Sequence, residues 1–407
     1  MSVIIDSLER IVGRMFNYMT PDRWIFGIVL PFILAMVVTT LVFPLIVRMA
    51  HERNMVDVPD ARKLQKVPVP VLGGLAVFFG VVIGAGATST FYESYALFTS
   101  IVALTMMMYI GMLDDMIGLS PALRLVCEIL MIAFVVKLDL TNINDFHGLF
   151  GIGKLPVYVS APLCIISCCG IINAVNMIDG VDGLSSGWSV VACLCFGIVF
   201  CVSNEGTMTV MASLMAGALI PFFFHNVFGQ KSKMFIGDSG TMMVGMLMSI
   251  FCMRVIDNTS MVAFNHPHVG VIAFCLSVLS VPVFDTVRVM LGRIMKGVSP
   301  FHPDKSHLHH LFLAVGFSHI GTSIAVISLN VFNILCWFVS FLYGADATGQ
   351  FIVVFVVGFA NSFGFHYLVR RMNHNRIPYR ILEWLARKSH FETGTMFLSI
   401  RKFIDKI

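Results

Sequence analysis

A short polar segment interrupts one of the long apolar stretches of this chain. Two carboxamides and two carboxylates follow one another at intervals of three residues, and a glycine comes directly after each carboxylate. The spacing places the first three side chains near one face of a helix end, and the glycines let the backbone approach a ligand closely. Side-chain oxygens of this kind suit Mg²⁺ and the polar edges of a nucleotide. The four residues are Asn173, Asn176, Asp179 and Asp182.

Three more carboxylates lie where apolar stretches begin or end. Asp114 and Asp115 are adjacent, and poorly solvated carboxylates beside an apolar helix end are candidates for metal binding or general base catalysis. Asp238 lies in a Gly-Asp-Ser-Gly segment just before another apolar stretch. Its carboxylate could bind a cation while backbone N–H groups face an anion, or Asp238 or Ser239 could simply cap the following helix.

Two segments carry cations that an anionic ligand would need. Lys63 and Lys66 precede a stiff turn with two prolines and paired glycines, and they could hold a phosphate or contact lipid headgroups. The second segment has three histidines within four residues, near several cations. Zinc is one alternative, because imidazole is its common ligand, but no loop cysteine is available, so we expect hydrogen bonding to a diphosphate. The residues of this segment are Arg293, His307, His309 and His310.

Long apolar stretches must position these side chains. The 407 residues are 57% hydrophobic and 12% charged, whereas about 25% are charged in an average soluble domain. Apolar runs of about 17–25 residues, long enough to cross a bilayer, recur along nearly the whole chain. The composition therefore predicts an all-α, polytopic membrane protein with about eleven transmembrane helices. Inside the ninth, Asp285 and Arg288 are spaced to pair across one helical turn. The predicted spans are residues 24–47, 72–90, 97–113, 122–138, 157–175, 187–203, 209–226, 240–256, 268–288, 320–341 and 350–369.

The distribution of lysine and arginine predicts the orientation. Of the 27 such residues, 21 lie in one set of connections together with the C-terminal tail, and six lie on the opposite face. The positive-inside rule then places the tail in the cytoplasm, and an odd number of spans places the N-terminus outside. The polar segments described above fall on the cytoplasmic side. We divide the chain into an extracytoplasmic lead (1–23), a transmembrane domain (24–369) and a basic cytoplasmic tail (370–407).

In their order along the chain, these motifs resemble those of the polyprenyl-phosphate N-acetylhexosamine-1-phosphate transferases, and the WecA/TagO branch most closely. The resemblance covers about residues 25–370 and leaves out the lead and the tail. The motifs that carry it are Asp114-Asp115, Asn173-Ala-Val-Asn176-Met-Ile-Asp179-Gly-Val-Asp182-Gly-Leu184, Phe-Ile-Gly237-Asp238-Ser-Gly240 and His307-Leu-His309-His310.

The resemblance implies a Mg²⁺-dependent phosphoglycosyltransferase, in which Mn²⁺ could replace Mg²⁺. Such an enzyme moves N-acetylhexosamine 1-phosphate, GlcNAc 1-phosphate by default, from a UDP-sugar to undecaprenyl phosphate and releases UMP. The reaction starts a cell-surface polysaccharide. The resemblance also implies the bacterial cytoplasmic (inner) membrane, an active site on its cytoplasmic face, contact with membrane lipid and no nucleic-acid partner; a homodimer is compatible with it.

The same resemblance implies a role for each motif. Asn176 and Asp238 would be Mg²⁺ ligands, and Asp114 or Asp115 would deprotonate or orient the prenyl phosphate. Asp182 would face the uracil. The other residues expected to bind or support substrate are Lys63, Lys66, Asn173, Asp179, Arg293, His307, His309 and His310.

Two positions depart from the family pattern. Gln65 stands where the family often has the histidine of an Arg-Lys-x-His segment, so the role of that position is open. Gly118 stands where some members carry a further acid, so no third carboxylate is expected beside the aspartate pair.

Two other functions remain as alternatives. A phospho-muramyl-pentapeptide transferase would share the aspartate pair and the Asn/Asp segment, but the His-Leu-His-His motif and the Arg-Lys entry favour the WecA/TagO branch. A transporter of ions or anionic solutes would carry ionisable residues midway through its spans and broken helices in paired halves. Here the polar segments lie at span ends, and no internal repeat is evident.

Overall fold

Nearly every described residue belongs to a helix or to a short turn between helices. The computed structural model describes residues 24–53, 55–57, 68–89, 94–138, 143–266, 268–300, 304–371 and 376–406. The lead, residues 1–23, and the predicted substrate ligands Lys63 and Lys66 lie outside the described residues, as does Gln65. Two short strands, β1 (Val56–Asp57) and β2 (Val69–Pro70), form an antiparallel pair.

The helices follow one another as α1 (Leu30–Glu52), α2 (Gly73–Thr88), α3 (Tyr95–Ile117), α4 (Pro121–Lys137), α5 (Val157–Met177), α6 (Leu184–Val202), α7 (Gly206–Phe228), α8 (Gly237–Ile256), α9 (Met261–Asn265), α10 (Val271–Val278), α11 (Ser280–Met295), α12 (Leu308–Val315), α13 (His319–Leu342), α14 (Ala347–Phe359), α15 (Phe365–Arg371), α16 (Ile377–Lys388) and α17 (Thr395–Ile404). Two π-helical turns, Ile25–Val29 and Ala360–Gly364, continue α1 at its start and join α14 to α15.

Each of the eleven predicted spans is helical in the structure. Eight helices of the described chain are long and apolar enough to cross a membrane, and a ninth is added if the bent pair α10–α11 counts as one span. The remaining two, α2 and α4, have 16 and 17 residues. The all-α, multi-span membrane fold is therefore confirmed, whereas the count of eleven and the direction of each span stay predictions.

The predicted span 268–288 is not one straight helix. α10 and α11 meet at a bend of 75°, close to Pro282, which has no N–H to donate to the carbonyl of Val278. Asn330 of α13 replaces that hydrogen bond: its Nδ2 donates to Val278 O (3.0 Å), and its Oδ1 accepts the N–H of Val281 (3.0 Å). A neighbouring helix thus satisfies the backbone at the break, as a break within a bilayer requires.

The chain forms two units, which we describe separately. The Asp-pair unit comprises the described residues within 13–141, 186–251 and 395–407, and the histidine unit those within 142–185 and 252–394. The aspartate pair and Asp238 belong to the first unit, and the Asn/Asp segment and the histidines belong to the second.

Small residues bring helices of the Asp-pair unit close together. α1, α2 and α7 pack as a group, with Gly80 of α2 against Thr39 of α1 and Gly217 of α7 against the backbone of Phe32. A Cβ at either glycine would overlap these neighbours. Such close approach favours association between apolar helices, which gain little from hydrophobic burial inside a bilayer.

One apolar core in the histidine unit holds both of its polar segments. Leu184, which follows the Asn/Asp segment, and Leu308, which follows His307, are buried in the same cluster as Val281 of α11 and Ala386 of α16. Because the apolar neighbours of both polar segments are packed together, the segments are held in a defined arrangement within this unit.

Candidate functional site

Asp114 and Asp115 occupy the last turn of α3, but their carboxylates have different partners. Asp114 Oδ1 accepts a hydrogen bond from the N–H of Leu119 (2.7 Å), and Asp114 Oδ2 accepts one from Nη1 of Arg124 (3.2 Å). Gly118 ends the helix in the left-handed region, with φ of 66°, and donates its N–H to the carbonyl of Asp114. Asp114 therefore closes the end of α3, and its charge is balanced by Arg124.

Asp115 holds the start of α8. Its Oδ1 accepts the N–H of Asp238 (2.8 Å), and its Oδ2 accepts the N–H of Ser239 (3.0 Å). The first N–H groups of a helix have no partner within it, so this carboxylate satisfies two donors and complements the helix dipole. Gly237 permits the approach, because its φ is 72° and a Cβ there would lie 2.6 Å from Asp115 Oδ2. The sequence offered Asp238 or Ser239 as the helix cap; these two hydrogen bonds come from another helix.

The backbone that leads into α8 is fixed by the entry to α2. Phe235 donates its N–H to Pro70 O (2.8 Å), while Gly73 and Gly74 donate theirs to Phe235 O (2.9 Å) and Ile236 O (2.8 Å). The proline and paired glycines noted in the sequence therefore hold the segment that carries Asp238. The predicted phosphate binding by this segment depends on Lys63 and Lys66, which lie outside the described residues.

Arg124 connects these carboxylates, a role that sequence analysis missed. Its guanidinium lies 3.2 Å from Asp114, 3.7 Å from Glu128 and 3.9 Å from Asp238. The side chain of Asp238 is 37% exposed, against 10% for Asp114 and 1% for Glu128. Among the three carboxylates around Arg124, Asp238 is thus the one best placed to meet a soluble ligand. The available signal was the spacing of Arg124 and Glu128, one helical turn apart.

The Asn/Asp segment covers the end of α5 and the turn before α6. Asn173 Nδ2 donates to Cys169 O (2.9 Å), and Ser185 Oγ donates to Asp179 Oδ1 (2.5 Å). Asp179 is exposed, and Asn173 and Asn176 are half-buried. The predicted helix end with several polar side chains near its surface is therefore present in the structure.

Asp182 is held from α13. Its backbone carbonyl accepts a hydrogen bond from Oγ of Ser323 (2.7 Å), and its carboxylate Oδ2 lies 3.4 Å from Nδ1 of His319. Gly183 follows in the left-handed region, with φ of 77°, so the chain turns directly after Asp182. Neither His319 nor Ser323 could be linked to Asp182 from spacing, because more than a hundred residues separate them.

Asp285, Arg288 and His307 form a buried network. Arg288 Nη2 donates to Asp285 Oδ1 (2.6 Å) and to Ser306 O (2.6 Å), so the pairing expected from the sequence is confirmed. Asp285 also accepts the N–H of Leu308 (3.1 Å), and its Oδ2 lies 2.9 Å from His307 Nδ1. Because the carboxylate accepts from a guanidinium and an amide, we assign Nδ1 of His307 as a donor to it. Nε2 is then the ring nitrogen that remains for a ligand.

His309 packs against the Asn/Asp segment. A Cβ on Gly180 would overlap its imidazole, so only glycine leaves room for the ring. The rings of His307 and His309 are nearly parallel, with centroids 5.8 Å apart. Burial, followed by the nearby His310 and His307, lowers the pKa of His309 to about 3. Burial is also the main cause that lowers the pKa of His310. Both rings are therefore neutral at pH 7 and can exchange hydrogen bonds without adding positive charge.

Arg293 shapes the loop that precedes the histidines. Its side chain is buried, its Nη2 donates to Asp304 Oδ1 (3.0 Å), and its Nη1 donates to the carbonyl of Pro300. Burial raises the pKa of Asp304, but hydrogen bonds from Arg293 and Ser306 outweigh it and hold that pKa below its usual value. The role of Arg293 in phosphate binding stays a prediction.

The oxygen donors suit a hard cation better than zinc. Within the described parts of the chain, no group of three or more His, Cys, Asp or Glu side chains is arranged to hold a metal ion. Mg²⁺ usually keeps several waters and takes one or two carboxylates from the protein. The partly exposed carboxylate of Asp238 in the Asp-pair unit and the carboxamide of Asn176 in the histidine unit each offer an oxygen of the kind that Mg²⁺ binds.

The sequence is similar to proteins of one family. The family model for glycosyl transferase family 4 matches residues 97–256. A probable undecaprenyl-phosphate N-acetylglucosaminyl 1-phosphate transferase of Bacillus subtilis (strain 168) is 29% identical over 306 residues, which is 73% of this chain and 80% of that protein. The undecaprenyl-phosphate alpha-N-acetylglucosaminyl 1-phosphate transferase of Escherichia coli (strain K12) is 28% identical over 277 residues, or 67% of this chain and 72% of that protein.

A third relative extends the similarity. The undecaprenyl-phosphate alpha-N-acetylglucosaminyl 1-phosphate transferase of Salmonella typhi is 25% identical over 348 residues, which is 82% of this chain and 88% of that protein. The region matched by the family model includes the aspartate pair, the Asn/Asp segment and Asp238, whereas the three histidines lie beyond it.

Proposed function

We propose that this chain is a phosphoglycosyltransferase of the WecA/TagO-like family and that it transfers GlcNAc 1-phosphate from UDP-GlcNAc to undecaprenyl phosphate. A phosphate oxygen of the lipid attacks the phosphorus that bears the sugar, the bond from that phosphorus to the UMP oxygen breaks, and UMP leaves. The product is undecaprenyl-diphosphate-GlcNAc. The step starts a cell-surface polysaccharide at the cytoplasmic face of the bacterial inner membrane.

The fixed presentation of Asp238 is the observation that carries this proposal. Asp115 holds the two N–H groups at the start of α8, and the entry to α2 holds the backbone before it. Asp238 therefore needs little reorganisation to meet a ligand, which is what phosphoryl transfer demands of a catalyst that acts through positioning and charge.

Asp238 and Asn176 would hold Mg²⁺, which when bound supplies charge neutralisation for the diphosphate oxygens. Arg124 lies between Asp114 and Asp238 and keeps the local charge of the carboxylates balanced. Of the aspartate pair, Asp114 has no hydrogen bond to α8, and its carboxylate is the better candidate to orient or deprotonate the lipid phosphate. Asp115 acts as a positioning residue.

The histidine unit would contribute donors for the anionic substrate. The Asp285 carboxylate fixes the ring of His307, so a protonated His307 would direct its Nε2–H to a phosphate oxygen. Neutral His309 and His310 would act as hydrogen-bonding groups. Asp182, held by Ser323 and close to His319, keeps its proposed role towards the uracil.

Transfer of phospho-muramyl-pentapeptide is the competing reaction within this enzyme class. The relatives reported above carry names for GlcNAc 1-phosphate transfer, which supports GlcNAc. The relatives are named as transferases, so we do not propose transport of ions or anionic solutes.

The proposal is tested with purified protein, undecaprenyl phosphate, Mg²⁺ and a panel of radiolabelled UDP-sugars. We expect label in the lipid phase and release of UMP with UDP-GlcNAc, and loss of both on addition of EDTA. Label only from UDP-muramyl-pentapeptide would move the chain to the peptidoglycan branch, and absence of label with every donor would refute the proposed reaction.

A matched pair of variants tests the role of Asp238. Asp238→Asn removes one negative charge from the proposed cation site and is expected to lower turnover by at least about a hundredfold, as loss of a key electrostatic group does. Glu392→Gln makes the same chemical change in the tail and is expected to retain activity. Normal turnover by a well-folded Asp238→Asn protein would refute the metal assignment.

A further inference from the structure

The tail helix α16 has two faces with opposite environments. Tyr379 and Ala386, seven residues apart, are buried, and Ala386 packs in the apolar core with Leu308 of α12 and Val369 of α15. This face attaches α16 to the histidine unit. The attachment leaves the other side of the helix open, and the residues there are not the polar ones that an ordinary surface helix would show.

The open side of α16 is an apolar stripe. Ile377, Ile381, Trp384 and Leu385 follow the spacing i, i+4, i+7 and i+8, which places them on one side of a helix. Each of these side chains is between 43% and 74% exposed. Four large apolar residues on one face are more than the scattered exposed hydrophobics of a water-facing helix, so the stripe calls for an occupant.

Cations border this stripe. The arginines at 376, 380 and 387 are exposed and fall within about 40° of one another around the helix axis, along one edge of the stripe. Lys388 lies with its Nζ 4.2 Å from the centre of the Trp384 ring. The helix has one carboxylate, Glu383, which is half-buried. The exposed surface therefore combines apolar residues with a positive edge.

The position of α16 in the chain keeps it near the membrane. Five residues separate the end of the candidate span Ala347–Arg371 from the start of α16, and such a connection reaches at most about 20 Å. The last turns of that span also expose Tyr367, and tyrosine favours the boundary between lipid and water. The stripe of α16 thus begins close to a surface that already faces lipid.

We propose that α16 lies in the membrane interface at the end of the last span and binds anionic phospholipid through its apolar stripe and arginine edge. Interfacial helices have this combination of a lipid-facing apolar side and flanking cations that meet acidic headgroups. A second copy of the chain is a poorer occupant, because a symmetric contact would bring the same arginines against each other. The proposal concerns the tail alone and does not depend on the proposed reaction.

Tryptophan quenching in nanodiscs tests this proposal. The chain has four tryptophans, and the emission lost in Trp384→Phe reports on Trp384. We expect brominated phospholipid to quench that emission, with about twofold stronger quenching by brominated phosphatidylglycerol than by brominated phosphatidylcholine. Combined replacement of Arg376, Arg380 and Arg387 by glutamine should remove this preference. Replacement of Lys402 and Lys406 by glutamine, which removes exposed cations from α17 and from the turn after it, should leave it unchanged.

Three results would overturn the proposal. Emission of Trp384 that aqueous acrylamide quenches and brominated lipid does not would show that the stripe faces water. Equal quenching by both lipids in the wild type would exclude recognition of acidic headgroups. Lipid quenching that appears only on dilution of the protein would assign the stripe to a second copy.

A second measurement needs no variant. Amide hydrogen exchange over residues 377–388 of the wild-type protein should slow several-fold when phosphatidylglycerol replaces about one third of the phosphatidylcholine, because headgroup binding anchors the helix. Unchanged exchange in the two bilayers would contradict anionic lipid binding, whether or not Trp384→Phe folds.

Discussion

Asp115 differs from its neighbour Asp114 in what its carboxylate holds. Both of its oxygens accept backbone N–H groups from the first turn of α8. Asp115→Asn replaces one acceptor with an NH₂ donor that would face an N–H group. We expect a loss of about 2 kcal/mol of stability, the usual cost of an unmade hydrogen bond to a charged group. Thermal unfolding in detergent measures this loss, with Glu392→Gln as control, and equal melting temperatures would contradict the assignment.

His309 predicts a stability that depends on pH. Its pKa is lowered to about 3 by burial and by the neighbouring histidines, whereas an unfolded histidine titrates near 6.5. Between these values the unfolded chain binds one more proton than the folded chain, so the free energy of unfolding falls as the pH falls. The contribution is fully present above about pH 6.5, and about 2 kcal/mol of it is lost between pH 6.5 and 5.

The dependence of the melting temperature on pH separates this effect of His309 from a simple loss of packing. We expect His309→Gln to unfold at a lower temperature than the wild type at pH 7, but with a smaller further decrease at pH 5. His390→Gln, a change at an exposed histidine, should keep the wild-type slope. If the slope of His309→Gln equals that of the wild type, the buried neutral ring is not the source.

The sequence identified the polar residues of the site but could not show that Asp114 and Asp115 have different roles. Adjacent aspartates pointed to one shared function, yet successive side chains on a helix diverge by about 100°. The N–H partners of Asp115 lie 123 and 124 residues away, a distance at which spacing carries no information. The spacing of Arg124 and Glu128 was visible in the sequence, but the contacts of Arg124 with Asp114 and Asp238 were not, because those carboxylates lie on two other helices.

At the scale of elements, Asp405, the residue directly after α17, fixes the loop that leads to α8. Oδ1 of Asp405 accepts the N–H groups of Gln230 (2.9 Å), Lys231 (3.0 Å) and Ser232 (3.4 Å). Burial raises the pKa of Asp405, but these backbone hydrogen bonds outweigh it and hold the pKa below its usual value. The stability that comes from this group is therefore present above about pH 4 and is lost as the pH falls further.

Limited proteolysis tests whether the hydrogen bonds of Asp405 fix this loop. In Asp405→Ala the loop loses its acceptor, and we expect trypsin to cut after Lys231 or Lys233 several-fold faster than in the wild type, because local opening becomes easier. The cleavage rate in Glu392→Gln should match the wild type. Unchanged cleavage in Asp405→Ala would mean that the hydrogen bonds from Asn226 Nδ2 to Met234 O and from the N–H of Phe235 to Pro70 O hold the loop without Asp405.

Apolar length predicted the helices well and their breaks poorly. All eleven predicted segments are helical because each is long and rich in apolar residues. The 75° bend within 268–288 was not predicted, although Pro282 was a visible signal. A proline alone does not decide between a kink and a break; here Asn330, on another helix, satisfies the freed backbone groups. The short helix α12 was missed because its sequence was interpreted only as a ligand site.

At the scale of the whole molecule, two short helices decide on which side of the membrane the aspartate pair lies. α2 and α4 have 16 and 17 residues, close to the lower limit for crossing a bilayer. If both cross, the end of α3 with Asp114 and Asp115 lies on the same side as the basic tail. If neither crosses, the tail keeps its side, because two spans are removed, but the end of α3 moves to the opposite side.

Reporter fusions distinguish these topologies, because alkaline phosphatase needs disulfides and folds only outside the cytoplasm. We expect an inactive phosphatase when it is fused after Ser120, an active one after Gly153, and a fluorescent green fluorescent protein at the C-terminus. The charge distribution requires this pattern, since 21 of the 27 lysines and arginines lie on the predicted cytoplasmic side. Activity after Ser120 would show that α4 does not cross, and would place the aspartate pair on the side where no UDP-sugar is available.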